Sequence, residues 1–321
     1  MRCFVTGGSG FVGSNLIALL IKEGYDVVAM ARSEDASNKI KSLGATPVSA
    51  DMSEADRLVD DLRGCTAVFH LASASEFWRG YEYAYEINVR GTEKLVDAAK
   101  KAGVQRFIYI STAAIILQGK PVYDADERLS LPHLPKGAYR RTKYQAEQVV
   151  LNSNAEDFQT VIVRPPLVWG KGSVVKFLVE ASREDKLMWF NHGKYKVPII
   201  HVKNLCHAIL LAYRQGKPGE MYYVIDSEHV VFRDFLTRIL ATQGLAPPTK
   251  NMNRSVALAM GNLVPVIWKI LRKKSPPPMS AEMIHMQATE YTVSDAKARE
   301  ELGYEDVITY EEGLEELKSG F

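Results

Sequence analysis

The chain predicts an α/β fold: a doubly wound parallel sheet covered by helices on both faces, followed by a smaller C-terminal lobe. Three observations carry that reading. Short, wholly apolar runs alternate with helical patterns through the first half of the chain, as strands buried on both faces require. A glycine-rich turn, Thr6-Gly-Gly-Ser-Gly-Phe-Val-Gly13, joins the first such run to the first helical pattern. After Arg164 the alternation breaks, first at Pro165-Pro166 and again at Pro276 to Pro278.

Taken in order, Arg2 to Thr6 is the first strand, and Ser14 to Glu23 is the first helix, closed by Gly24 where a helix C-terminus favours glycine. Between them, Gly7, Gly10 and Gly13 let the backbone turn sharply, approach a ligand and pack the helix on the strand. The amides and positive dipole end of that helix then face an anion, so the segment is a seat for the pyrophosphate of a dinucleotide. Gly8, Gly10 and Gly13 fit the G-x-G-x-x-G spelling equally, so two registers stand. Further strands are expected over Asp26 to Ala31, Thr46 to Ala50, Ala67 to Leu71, Arg106 to Ile110 and Thr160 to Arg164. Thr92 to Ala102 is a helix ended by Gly103, and the pattern around Tyr139 stays helical to about Asn152. The glycine turn selects the strand order 3-2-1-4-5-6, with Tyr222 to Ile225 as one more strand of the sheet. Residues 1–165 thus read as a dinucleotide-binding domain with returning segments near 197–226, and 166–321 mainly as a substrate-binding lobe.

Bulk properties narrow the class. With 46% hydrophobic and 24% charged residues over 321 positions, the chain has ordinary globular composition. A net charge of +2 gives no footprint for nucleic acid or for an acidic partner surface. Cys3, Cys65 and Cys206 are odd in number and lack paired spacing, so they read as reduced packing residues. His201 and His207 make no ligand cluster with Cys206, and no metal is expected. The first strand begins at Arg2, leaving no room for a signal peptide, and a cytoplasmic location is expected. Ser255 to Leu271 is largely apolar and precedes Arg272, Lys273 and Lys274, yet it is short for a membrane span and contains Asn262, Pro265 and Lys269. A helix covering a greasy pocket is preferred there to membrane-surface contact through 255–274.

Tyr139 and Lys143 stand at helical i, i+4 spacing and share a face. A phenol titrates at about 10, so a tyrosine base at neutral pH needs that value lowered by about three units, or about 4 kcal/mol. A neighbouring ammonium and the positive charge of an oxidised nicotinamide both act in that direction. At the end of the fifth strand, where parallel sheets bind ligands, Thr112, or failing it Ser111, can hydrogen-bond a carbonyl oxygen and polarise it.

Further segments complete a pattern: Asp51-Met52, His70-Leu-Ala-Ser73, Asn88-Val-Arg-Gly-Thr92, Arg164-Pro-Pro-Leu-Val-Trp-Gly170, Ile200-His-Val202 and Ser294-Asp-Ala-Lys-Ala-Arg-Glu-Glu-Leu-Gly303. Together with the glycine turn, Ser111-Thr112 and Tyr139-x-x-x-Lys143, they make the chain resemble an extended short-chain dehydrogenase/reductase of the NAD-dependent epimerase/dehydratase superfamily. The look is closest to the 3β-hydroxysteroid dehydrogenase-like branch. The resemblance implies a Rossmann-type sheet, Tyr139 as general acid/base, Lys143 on the nicotinamide ribose and lowering the tyrosine's pKa, and Thr112 or Ser111 orienting the substrate oxygen. It implies a dinucleotide held by Gly7, Gly10, Phe11, Val12, Gly13 and Met52, with Asp51 at the adenine. Leu71, Ala72, Ser73, Pro165 and Val168 would line it, and Asn88 would order the site. A homodimer through a four-helix interface is common in the family, with the helix after Tyr139 as the candidate.

The stretch from Val28 to Ser33 carries no acid to hold a ribose 2′-hydroxyl, whereas Arg32 can pair with a 2′-phosphate. NADP(H) is therefore favoured over NAD(H). After Thr112 the chain reads Ala113-Ala114-Ile115-Ile116-Leu117, without the acidic pair that sugar-nucleotide dehydratases of this superfamily usually carry. Phe77, Trp78, Ala113, Trp169 and His201 are expected beside the substrate, with Leu187 to Phe190 adding apolar area. Such a pocket suits a lipophilic ligand. The expected reaction is hydride transfer between NADP(H) and a hydroxyl or ketone of a hydrophobic, steroid- or β-keto-lipid-like substrate. An NAD-dependent sugar-nucleotide epimerase would share these residues, and a non-enzymatic NADP(H)-sensing protein would need the glycines without Tyr139 and Lys143.

Overall fold

The apolar runs of the first half assemble side by side because each needs cover on both faces. The computed structural model describes residues 1–76, 78–273 and 275–320. Its central sheet is built from β1 (Arg2–Thr6), β2 (Asp26–Ala31), β3 (Thr46–Ser49), β4 (Cys65–His70), β5 (Arg106–Ile110), β6 (Gln159–Arg164) and β7 (Glu220–Tyr223). All pairings are parallel, in the order β7-β6-β5-β4-β1-β2-β3. This is the expected 3-2-1-4-5-6 order with one more strand beyond the sixth.

Strand alternation sorts the side chains into two cores. From β1, Cys3 and Val5 pack with Leu16 and Ile17 of α1 (Phe11–Lys22), whereas Phe4 faces the opposite layer with Leu95 and Val96. That second layer holds α3 (Gly91–Lys101) and α4 (Ala138–Asn152), while α2 (Glu34–Ser42) connects β2 to β3. β7 begins and ends two residues earlier than expected. Gly219 N–H donates to the Thr160 carbonyl (2.7 Å), which starts the pairing, and Tyr223 already faces the last residue of β6. Beyond it, Asp226 N–H turns to the Ile199 carbonyl (2.8 Å).

The glycine turn owes its path to two positions. Gly7 has φ +69°, and a Cβ there would stand 2.9 Å from the Ala72 nitrogen; one at Gly13 would stand 2.1 Å from the Gly7 carbonyl oxygen. Gly8 instead faces Ile17 and Ala29 in the helix–strand interface. The close backbone approach therefore uses Gly7 and Gly13, with Gly10 N–H closing the turn on the Gly7 carbonyl (3.0 Å).

The remaining chain forms a third core around Trp169, Phe235, Tyr291 and Leu314. Its helices include α5 (Ser173–Arg183), α6 (Val202–Gln215), α7 (Arg254–Ile270) and α8 (Ala281–Gln287). α7 approaches α8 through Gly261, where a Cβ would stand 2.6 Å from the Ala281 nitrogen. Only Ala257 and Gly261 of α7 are buried, so it does not bury the broad apolar face expected of a pocket cover. Among the described residues no helix is long and apolar enough to cross a membrane.

One buried ion pair ties α4 to the sheet. Arg164, at the end of β6, donates from Nε (2.8 Å) and Nη2 (2.6 Å) to the two carboxylate oxygens of Glu147, and Nη1 reaches the Tyr223 hydroxyl (3.2 Å). Both charges are buried, so neither tolerates loss of the other. Glu147→Ala is expected to destabilise the protein by about 3–5 kcal/mol, seen as a lower urea midpoint in tryptophan fluorescence. An unchanged midpoint would show that the pair is not structural.

Candidate active site

Two cavities meet at the glycine turn. The first, about 280 Å³, includes Gly7, Gly10, Arg32, Asp51, Met52 and Ala72 in its wall. The second, about 580 Å³, shares Gly7, Gly10, Leu71 and Ser73 with the first and continues past Phe11, Val12 and Gly13 to Thr112, Tyr139 and Val168. A continuous path thus runs from Arg32 across the helix N-terminus to the two hydroxyls. Arg32 is exposed, and no hydrogen bond or ion pair engages it among the described residues. Asp51 accepts at Oδ1 from the Ser53 amide (3.0 Å) and hydroxyl (2.9 Å), capping the turn that follows β3.

A buried polar chain fixes the turn against the helix carrying Tyr139. Thr6 Oγ1 accepts from the Leu71 and Ala72 amides (3.1 and 3.0 Å) and lies 2.7 Å from His70 Nδ1. His70 Nε2 lies 2.8 Å from Thr92 Oγ1, which donates its own proton to the Asn88 carbonyl (2.6 Å). For a neutral ring these partners fix the proton positions. Thr92 has none left for the ring, so Nε2–H donates to it, Nδ1 is bare, and Thr6 donates to Nδ1. The imidazole is neutral; burial, aided by the Lys143 ammonium, pushes its pKa down to about 3. Asn88 sits in a π-turn over Glu86–Arg90. It accepts from Ala74 N–H (2.7 Å) and donates to Thr142 Oγ1 on α4 (3.0 Å). Its place is that of an ordering residue.

Thr112, two residues past β5, caps the short turn over Ala113–Ile116 by accepting from Ala114 N–H (3.2 Å), and a side-chain hydrogen bond joins it to Tyr139. Burial raises the Tyr139 pKa to about 12, opposed by Thr112 and reinforced by Glu282. Lowering of that phenol by Lys143 is not what the protein's own groups produce. Lys143 Nζ donates to the Ile110 carbonyl (2.6 Å) and lies 4.2 Å from the centre of the Tyr109 ring. Its pKa falls to about 7 through burial, against the pull of Glu147. Ser111 is buried outside both cavity walls; its amide donates to the Val163 carbonyl (2.8 Å), which leaves Thr112 as the hydroxyl facing the cavity.

Several expected neighbours of the substrate lie elsewhere. Trp169 points into the third core, where its Nε1–H donates to Asp226 (2.8 Å) and its ring stands 4.8 Å from that of His201. His201 is buried beside it and caps α6 by accepting from Lys203 N–H (3.3 Å). Ala113 is fully buried under the wall, and Ala114 is the residue that reaches it. Trp78 is exposed outside both cavities, and Phe77 lies outside the described residues. Pro165 offers its carbonyl to Ala113 N–H (2.8 Å), so Pro166, Leu167 and Val168 form that side of the wall. Trp189, from the apolar run, packs on Leu236 and Leu240 instead.

The wall opposite Thr112 and Tyr139 is hydrocarbon from the later elements. α5 supplies Val174, Phe177 and Leu178, and α8 supplies Met283 and Met286, all missed in the sequence. Positions 174, 177 and 178 have the spacing of one helix face, the signal that could have found them. α7 contributes nothing to this wall. Glu282, also missed, receives the amide of Arg140 (3.1 Å) and those of Ala138 and Tyr139. A carboxylate from the C-terminal part of the chain thereby anchors the N-terminus of α4.

Comparison with known proteins gives a family match over residues 4–254, to the 3-beta hydroxysteroid dehydrogenase/isomerase family. The chain is 37% identical over 320 residues to a 4-hydroxy-2-methyl-3-oxo-4-farnesyl-3,4-dihydroquinoline-1-oxide ketoreductase of Stigmatella aurantiaca, covering 99% of this chain and 96% of that one. It is 31% identical to a decarboxylating sterol-4-alpha-carboxylate 3-dehydrogenase of Dictyostelium discoideum, covering 98% and 99%. The fold also matches a UDP-glucuronic acid 4-epimerase of Bacillus cereus, crystallised with UDP-glucuronic acid and NAD. There the TM-score is 0.75 at 21% identity, over 99% and 98% of the two chains.

The buried imidazole makes stability depend on pH. Its folded pKa of about 3 lies below the 6.5 of a free histidine, so below pH 6.5 the unfolded chain takes up a proton that the folded one refuses. Stability from this residue is complete above pH 6.5 and falls by about 1.4 kcal/mol per pH unit below it. His70→Gln is expected to be less stable at pH 7 but to lose less on going to pH 5 than the parent does. Parallel urea midpoints across that range would contradict the assignment.

Proposed function

The chain belongs to the 3-beta hydroxysteroid dehydrogenase/isomerase family, whose members are NAD(P)-dependent oxidoreductases of the short-chain type, and from this we propose that it reduces a ketone on a bulky lipophilic substrate with NADPH. The supporting observation is the second cavity: two hydrogen-bonded hydroxyls at its glycine end, and hydrocarbon from α5 and α8 along its far wall. Charged sugar nucleotides would find no matching cation among those apolar side chains, whereas a prenyl or sterol skeleton would bury against them. The printed names of the two relatives, a farnesyl-quinoline ketoreductase and a sterol dehydrogenase, point the same way.

The cradle fits a dinucleotide, since any Cβ at Gly7 or Gly13 would fill the space beside the backbone and the start of α1 directs its dipole there. When bound, the reduced nicotinamide supplies a hydride to the carbonyl carbon. Arg32 holds a 2′-phosphate at the far end, with no acid between Val28 and Ser33 to favour the bare hydroxyl. Thr112 and Tyr139 hold the carbonyl oxygen between their hydroxyls. Tyr139, protonated at neutral pH because burial has raised its pKa to about 12, acts as an acid and gives its phenolic proton to the oxygen that becomes the product alcohol. Lys143 can approach a ribose from the strand end where it is anchored. The later elements act as the substrate-binding lobe, with Leu178 and Met286 keeping water from the reacting groups.

Tyr139→Phe is expected to lower kcat by roughly 10²- to 10⁴-fold while NADPH affinity stays near the parent value. Unchanged turnover would remove Tyr139 from the chemistry. Arg32→Glu is expected to lower kcat/KM for NADPH by roughly 10- to 100-fold, with NADH less affected. Equal loss for both cofactors, or a parent enzyme that prefers NADH, would overturn the NADPH reading. A screen over ketosteroids, long-chain β-keto compounds, simple ketones and sugar nucleotides, followed by NADPH consumption, tests the substrate class. Sugar-nucleotide turnover without net cofactor consumption would establish the epimerase instead.

A further inference from the structure

α7 presents an apolar face to solvent. Val256, Met260, Leu263, Ile267 and Ile270 recur at four- and three-residue steps, so they share one side of the helix. All five are exposed, Leu263 to 59% and Ile270 to 73%. The opposite side, at Ala257 and Gly261, rests on the body through α8. A stripe of large aliphatic groups over four turns exceeds what scattered surface residues explain and marks a contact surface.

Charge identifies the occupant. From Phe235 to Ala281 the sequence holds no Asp or Glu and seven Lys or Arg. Of these cations, Arg238 and Lys250 are paired to carboxylates elsewhere. Lys269, Arg272 and Lys273 follow the stripe at the helix C-terminus and meet no carboxylate among the described residues. An apolar stripe bordered by unpaired cations matches an anionic lipid surface, in which aliphatic groups enter the acyl boundary and ammonium and guanidinium groups meet phosphates. The helix is too short and too interrupted to cross the bilayer and is suited to lie along it. We propose that α7 docks the protein on anionic membrane surfaces. α8, on which α7 rests, carries Met283 and Met286 of the cavity wall, so docking would bring that wall towards the lipid phase. The use of such docking for substrate entry rests on the lipophilic substrate proposed above; the docking itself does not.

The test is co-sedimentation of the full chain, without cofactor or substrate, with phosphatidylcholine vesicles that contain or lack phosphatidylglycerol. Binding is expected only when phosphatidylglycerol is present. It should fall at least tenfold in Leu263→Glu/Ile270→Glu, and by roughly a hundredfold in Lys269→Gln/Arg272→Gln/Lys273→Gln. Both variants should keep the parent melting temperature and the parent turnover of a short, water-soluble ketone. Absence of vesicle binding, or binding that neither variant weakens, would overturn the proposal. So would a dimer in sedimentation equilibrium that Leu263→Glu/Ile270→Glu converts to monomer without any vesicle binding, since a second copy would then cover the stripe. Vesicle binding with no ketone turnover would retain the docking and refute the reaction.

Discussion

The arrangement depends on the position of a neutral imidazole. His70 joins the hydroxyl at the end of β1 to the hydroxyl of Thr92, and through Asn88 the chain of hydrogen bonds reaches Thr142 on α4. Thr6 also accepts from Leu71 and Ala72, and Ala72 is the residue against which Gly7 leaves no room for a side chain. The same few bonds therefore set the distance of the glycine turn from the next strand and the position of the helix carrying Tyr139 and Lys143. In a low-dielectric interior a fully satisfied chain of this kind favours one geometry, because any alternative strands a polar atom. A protonated ring would break it, which is why burial on this scale must keep the imidazole neutral.

Two carboxylates complete the placement of α4. Glu147 binds Arg164 at the end of β6, and Glu282 gathers the amides at the helix start. Both also act on the chemistry: Glu147 resists the loss of charge on Lys143, and Glu282 helps to keep the Tyr139 proton in place. Polar groups thus collect at one end of the cavity while α5 and α8 leave hydrocarbon at the other.

The sheet was legible because its signals are local. Runs such as Arg106 to Ile110 have one stable environment, and the glycine turn can form only where a strand meets a helix. Partners distant in sequence left no such trace: nothing near Arg140 announces Glu282, 142 residues away. Aromatic residues misled for a related reason. Trp169 and His201 look like pocket residues from their place after strands, but alternation turns both towards the third core. Pro165 against Pro166 is the same one-residue ambiguity of side. Lys143 was placed on the correct helix face, yet only the fold reveals the Ile110 carbonyl that receives it. The apolar composition of α7 was read correctly and its direction was not, because composition does not say which face finds a neighbour.

The most direct measurement follows the hydrogen itself. NADPH deuterated at the 4-position of the nicotinamide, in each of its two stereochemical forms, is incubated with the parent enzyme and a bulky lipophilic ketone found to be a substrate. The account predicts that one form, and not the other, leaves deuterium on the new carbinol carbon, with one NADP+ formed per alcohol. Product lacking deuterium from both forms, or turnover with no net oxidation of the cofactor, would contradict it.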